Sequence, residues 1–103
     1  MTDDGKDEGF TLENGRLECP RDMSTASPLQ FSDLCKKLIS SGETNVVIDL
    51  SGTRFLPSHH IGVIAHLWVE TLESDKKLQV KVSEYLKRTF SDSGLGEVID
   101  IEE

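Results

Sequence analysis

Residues 46–64 read Val46-Val-Ile-Asp-Leu-Ser-Gly-Thr-Arg-Phe-Leu-Pro-Ser-His-His-Ile-Gly-Val-Ile64. The first part, Val46 to Leu50, is a short, β-branched and nearly continuous apolar run. Such a run suits a central strand covered on both faces. Ser51-Gly52 begins a loop that ends in Phe55-Leu56-Pro57-Ser58. Pro57 then Ser58 starts a helix, with Ser58 as its N-cap. Ile61, Ile64, Ala65, Trp68 and Leu72 fall on one stripe, widened by Val63 and Leu67. This helix should therefore pack broadly on a sheet.

Downstream, Leu78-Gln-Val-Lys-Val82 alternates apolar and polar, the pattern of a half-buried strand. Ser83 caps another helix, anchored by Leu86 and Phe90. Gly94-Leu95 closes it with a left-handed residue and an apolar plug, and Val98-Ile-Asp-Ile101 is a last strand. Upstream, Ser27-Pro28-Leu29-Gln30 opens a helix with a capping serine and a proline at its first position. Phe31, Leu34, Cys35, Leu38 and Ile39 recur on one face of it, and Gly42 stops it. Before it, Asn14-Gly15 splits Phe10–Glu13 from Arg16–Cys19, the signature of a tight hairpin. Pro20 ends the second strand. Residues 1–9 are acidic and should form a disordered tail, leaving one domain over residues 10–103. The order β, β, α, β, α, β, α, β predicts an α/β fold: a mixed sheet of about four to five strands with three helices.

The chain has 103 residues, room for one domain and not for a catalytic barrel or a full dinucleotide-binding fold. Nineteen acids against eleven lysines and arginines give a net charge of −8. That sign argues against nucleic acid and against an anionic membrane surface. The N-terminus lacks the basic and apolar regions of a signal peptide, and no apolar run approaches a membrane span. Cys19 and Cys35 read as buried thiols of a reducing cytosol. A cytoplasmic location and no cofactor or metal are expected.

The element order and the 46–64 stretch together resemble the STAS domain, the family of bacterial anti-sigma factor antagonists and related modules. The family hallmark is a strand ending in Asp-Leu-Ser, a short loop with an aromatic residue, then Asp-Ser-Ser-Gly-Leu-Gly opening an apolar helix. Ser83-Glu-Tyr-Leu-Lys-Arg-Thr-Phe-Ser-Asp-Ser-Gly-Leu95 is similar to a second family signature, a capped helix ending in Gly-Leu. Pro57 stands where the family has an acid, His59 where it has a second serine, and His60 where it has its first glycine. Ile61 and Gly62 match the Leu-Gly that follows. The family's Gly-x-Leu-Asp after the second strand is loosely represented by Pro20, Asp22 and Met23. Its helix beyond the final strand is absent.

The resemblance implies a non-enzymatic regulatory module that binds a kinase-type anti-sigma factor. Ser58 would be phosphorylated by that partner, a serine kinase of the ATP-binding histidine-kinase-like type, and restored by a phosphatase. The partner surface would comprise Ser51, Pro57, Ser58, His59, His60, Ile61 and Gly62, with Asp22 and Met23 beside them, and the protein would be a monomer or weak homodimer. Phosphorylation adds roughly −1.5 to −2 charge. A helix N-terminus accepts that charge, so binding can change without unfolding. The alternative is a non-switching STAS adaptor, such as a stressosome-like scaffold subunit or a transporter accessory protein, which the altered motif and missing helix favour. A hydrolase would rest only on Ser58 beside His59, and adjacent helical residues point about 100° apart, away from a serine–base pair. His59 and His60 are read as exposed first-turn residues. Asp49 is read as a hydrogen-bonded acid satisfying amides around Ser51-Gly52.

Overall fold

A computed structural model describes residues 6–7 and 9–102. Strands β1 (Lys6–Asp7), β2 (Phe10–Glu13) and β3 (Arg16–Glu18) precede helix α1 (Pro28–Ile39). Then follow β4 (Asn45–Leu50), α2 (Ser58–Glu73), β5 (Lys77–Val82), α3 (Glu84–Ser93) and β6 (Asp100–Glu102). Met23–Thr25 and Leu95–Glu97 are single 3-10 turns. The strands form one mixed sheet in sequential order. β1, β2 and β3 pair antiparallel; β3, β4, β5 and β6 run parallel. The α/β class, three helices and mixed sheet expected from the sequence are all present. Most of the acidic stretch expected to be a tail lies outside the described residues; within it, Lys6 and Asp7 pair with Thr11 and Phe10.

Local chemistry explains the boundaries. Asn14 and Gly15 have φ of 52° and 76°, as a two-residue hairpin turn requires. Ser27 Oγ accepts from the Gln30 amide at 3.0 Å and caps α1, with Pro28 in its first turn. Gly94, at φ 82°, ends α3. The last strand begins two residues later than expected, because Leu95–Glu97 continue as a 3-10 turn before Ile99 enters the core.

Strand order decides where the core lies. Parallel crossovers are right-handed, so strands laid down in sequence place every crossover helix on one face. Burial agrees. Phe10, Leu17, Val46, Ile48, Leu50, Leu78, Val80 and Val82 are buried, together with Phe31, Leu34, Leu38, Ile64, Leu67, Leu86 and Phe90 from the helices. The residues alternating with them on the strands include Arg16, Glu18, Asp49, Lys81, Asp100 and Glu102. They form an ion-paired face, with Lys81 to Glu102 at 3.9 Å and Arg16 to both Glu18 and Asp49. The expectation that β4 is covered on both faces is corrected: β4 is central, but the sheet never reverses its order, so no crossover helix reaches the far side.

The buried face of α2 also differs from the apolar stripe. Its fully buried residues are His60, Ile64, Leu67 and Thr71, whereas Leu72 is exposed. Two polar residues are accommodated because each finds an acceptor. His60 Nε2 donates to the Ala26 carbonyl at 2.8 Å, and Thr71 Oγ1 to the Trp68 carbonyl at 2.6 Å.

Candidate functional site

The candidate residues gather at the C-terminal end of the parallel strands, where α/β sheets commonly place ligands. Three loops meet there: residues 19–27, residues 51–57 and Ser83. Thr53 joins all three. Its buried hydroxyl donates to the Pro20 carbonyl at 2.7 Å, and its own carbonyl accepts from Ser83 Oγ at 2.6 Å. The expectation that the Ser83 side chain caps α3 is therefore corrected; Ser83 occupies the N-cap position, but its hydroxyl is committed to the loop.

A short backbone ladder then zips the first two loops together. The Arg54 amide donates to the Arg21 carbonyl at 2.8 Å, the Phe55 amide to the same carbonyl at 3.3 Å, and the Met23 amide to the Phe55 carbonyl at 3.0 Å. Asp22 and Phe55 form a parallel bridge. Cys19 extends the tie, its amide donating to the Asp49 carbonyl at 3.0 Å. Asp49 fixes the start of the 51–57 loop, as read from the sequence. Its carboxylate accepts from the Ser51 amide at 2.9 Å and the Ser51 hydroxyl at 2.6 Å, and pairs with Arg16. Burial pushes the Asp49 pKa up, but the Ser51 hydrogen bonds and the Arg16 charge outweigh it and hold the group below its usual 3.8.

Ser51, Ser58, His59, Gly62 and Asp22 are exposed, and Pro57 and Ile61 half-buried. Met23 is not at the surface: it is 0% exposed and supports the ladder from beneath. His60 is also buried, at 3%, with its ring 5.6 Å from that of Phe31. Its Nε2–H is committed to Ala26, and Nδ1 is buried without a partner. The reading of His60 as an exposed residue is thus corrected: the turn of α2 at that point faces the start of α1. Asp22 accepts from the Ser24 amide at 2.9 Å and its hydroxyl at 2.6 Å, which lowers its pKa.

Ser58 is the first helical residue of α2 and not its cap. Pro57, at φ −64° and ψ 153°, holds the cap position, and no side chain caps this helix. The His60 amide turns back to the Pro57 carbonyl at 3.0 Å. Ser58 therefore presents its hydroxyl to solvent at a helix start that lacks a side-chain acceptor.

Sequence reasoning missed three residues. Arg21 and Arg54 lie side by side across the ladder, and Tyr85 reaches over from α3. The Arg54 guanidinium carbon sits 4.3 Å from the Tyr85 ring centroid, and Nη2 donates to the phenol oxygen at 2.8 Å. Arg54 and Tyr85 are 31 positions apart, so no local spacing announces the pair.

A groove of about 580 Å³ lies at the other end of the sheet, where β4 and β5 begin, and Trp68, Leu72, Leu78, Val98, Lys76 and Lys77 line it. None of the candidate residues borders it. Cys19 and Cys35 are free thiols, and burial pushes Cys35 up to about 12 and Cys19 higher still. Among the described residues, no helix is long and apolar enough to cross a membrane, and no group of three or more His, Cys, Asp or Glu could hold a metal ion. Comparison with models of known protein families and with curated proteins finds no significant match.

Proposed function

We propose that this chain is a regulatory protein-binding module of the STAS type, resembling an anti-sigma factor antagonist. It binds a kinase-type anti-sigma factor through the end built from residues 20–23, the 51–57 loop and the first turn of α2. The observation that carries the reading is the placement of Ser58, exposed at the start of a helix that no side chain caps. A phosphoryl group there meets first-turn amides and the positive end of the helix dipole. The domain tolerates it, while a partner fitted to a neutral hydroxyl meets a dianion. A phosphatase reverses the change.

A second reading, a non-switching adaptor, is favoured by one observation. His60 locks the first turn of α2 against Ala26 and Phe31, at the position where the family has a glycine.

Protein carrying phosphoserine at position 58 separates the two. The phosphorylated domain should unfold at the same temperature as the unmodified one and lose the partner kinase in a pull-down from its own cells. Equal capture of that kinase by both forms sinks the switch and leaves the adaptor.

A further inference from the structure

We infer that Arg21 and Arg54, flanked by Phe55 and Tyr85, form a docking surface for a carboxylate-rich segment of a partner protein. The inference rests on reading this end of the domain as the partner-binding end, and is independent of whether Ser58 is modified.

The chain holds eleven lysines and arginines against nineteen acids, yet two arginines stand next to each other across the loop ladder. Like charges on adjacent strands repel. Neither guanidinium pairs with a carboxylate among the described residues, whereas Arg16, Lys81 and Arg88 each do. The acid next to Arg21 in the ladder, Asp22, is bridged to Phe55 and already accepts from the Ser24 amide and hydroxyl. Two exposed guanidiniums are thus left without an internal counter-charge.

One of the two is also ordered in advance. The stack on Tyr85 and the bond to its hydroxyl hold Arg54 in place before any partner arrives. Prior ordering lowers the entropic cost of engaging a carboxylate, and a fixed guanidinium fork matches carboxylate geometry. Beside it Phe55 is 56% exposed and Tyr85 60%. Arginine and aromatic side chains together are the composition of interface hot spots. The occupant follows from the surroundings. A long polyanion such as nucleic acid would be repelled by the chain's net charge of −8, while a short acidic segment meets only the patch.

The test uses the full chain, isotopically labelled, and a synthetic peptide of Glu, Asp and Leu. The same peptide with Gln and Asn in place of the acids, and an oligothymidine, serve as controls. Chemical-shift changes should centre on Arg21, Arg54, Phe55 and Tyr85. Binding should weaken as salt shortens the screening length from roughly 30 Å to about 8 Å. The Arg21→Gln/Arg54→Gln variant should lose about tenfold or more in affinity with an unchanged melting temperature. The Arg21→Lys/Arg54→Lys variant, which keeps charge but not the fork, should fall between. Equal binding of the neutral peptide, tighter binding of oligothymidine, or shifts centred on the groove near Trp68 overturns the inference. Loss of the kinase on phosphorylation of Ser58, with no acidic-peptide binding, overturns this inference alone. Acidic-peptide binding together with an inert phosphoserine overturns only the switch.

Discussion

Replacing Asp49 by asparagine removes the charge that holds the base of the candidate surface. Asp49 is 6% exposed, and its carboxylate serves the Ser51 amide, the Ser51 hydroxyl and Arg16. Asparagine keeps one acceptor oxygen but turns an NH2 toward groups that are themselves donors, so at least one bond is lost and the rest lose their charge assistance. Hydrogen bonds to charged groups contribute about 1.5–3 kcal/mol. Ser51 is exposed and Arg16 half-exposed, so water takes over part of the loss. A net cost of about 2 kcal/mol follows at neutral pH, a drop of roughly 10 °C in midpoint for a domain near this size. The pH dependence fixes the mechanism. The native pKa of Asp49 lies below the usual 3.8, so the unfolded chain binds the proton more readily. Its stabilisation is complete above about 3.8 and is lost as pH falls through the native value. The substituted amide does not titrate, and every other carboxylate is common to both proteins. Urea unfolding followed by the fluorescence of Trp68 therefore reads Asp49 as the gap between wild type and Asp49→Asn. The gap should be constant from about pH 7 to about pH 5 and close below 3.8. A gap that is flat across the whole range, or that widens in acid, refutes a charge-based role.

Further substitutions and one chemical treatment probe the rest of the domain. His60→Ala leaves the Ala26 carbonyl unpartnered and opens a void beside Phe31, so it should cost about 3 kcal/mol in urea unfolding. His59→Ala, at the exposed neighbour, should stay within about 0.5 kcal/mol. Native Cys35, with its thiol held at about 12, should carry thiolate at only on the order of one part in ten thousand near pH 8. Iodoacetamide mass-tagging should therefore be slow for both thiols until urea exposes them. Gly62→Ala meets open space on α2 and should stabilise by about 0.5–1 kcal/mol. Gly15→Ala, at φ 76° and with its new Cβ 2.7 Å from Glu43 Cγ, should destabilise by about 1–3 kcal/mol.

What the sequence shows plainly is what is decided locally. Asn14-Gly15 makes a turn because those residues tolerate positive φ, and Ser27 caps α1 because the amide that donates to its hydroxyl oxygen, that of Gln30, is three residues away. Leu86 and Phe90 are buried because one face of a helix repeats at four. The same logic fails where a polar side chain finds its partner on another element. His60 and Thr71 enter the core of α2 on the strength of single carbonyl acceptors, one of them on the segment that leads into α1. Apolar periodicity instead nominates Leu72, which ends at the rim of the distant groove. Ser83 has the local context of a cap, but Thr53 offers its hydroxyl a buried carbonyl. Of the candidate surface, Ser58 and Asp22 are legible from motif context, whereas Arg21, Arg54 and Tyr85 meet only because the crossovers deliver three loops to one end.

That delivery bears on how any switch at this end has to work. The 51–57 loop is tied at its base by Asp49, at its middle by Thr53, and along its length by the ladder to residues 21–23. Beyond it, His60 fastens the first turn of α2 to the segment before α1. Such a surface has few ways to rearrange without breaking several hydrogen bonds, at about 1 kcal/mol for each. A phosphate on Ser58 or an acidic segment on Arg21 and Arg54 would therefore act chiefly through charge presented on a fixed frame. Both events change the potential of the same small end, one by adding negative charge and the other by using positive charge. A partner that approaches with carboxylates toward the arginines is also one that a nearby phosphate would repel. The arginine patch and the serine would then act in the same direction, binding in one state and refusing in the other, without a conformational change in between.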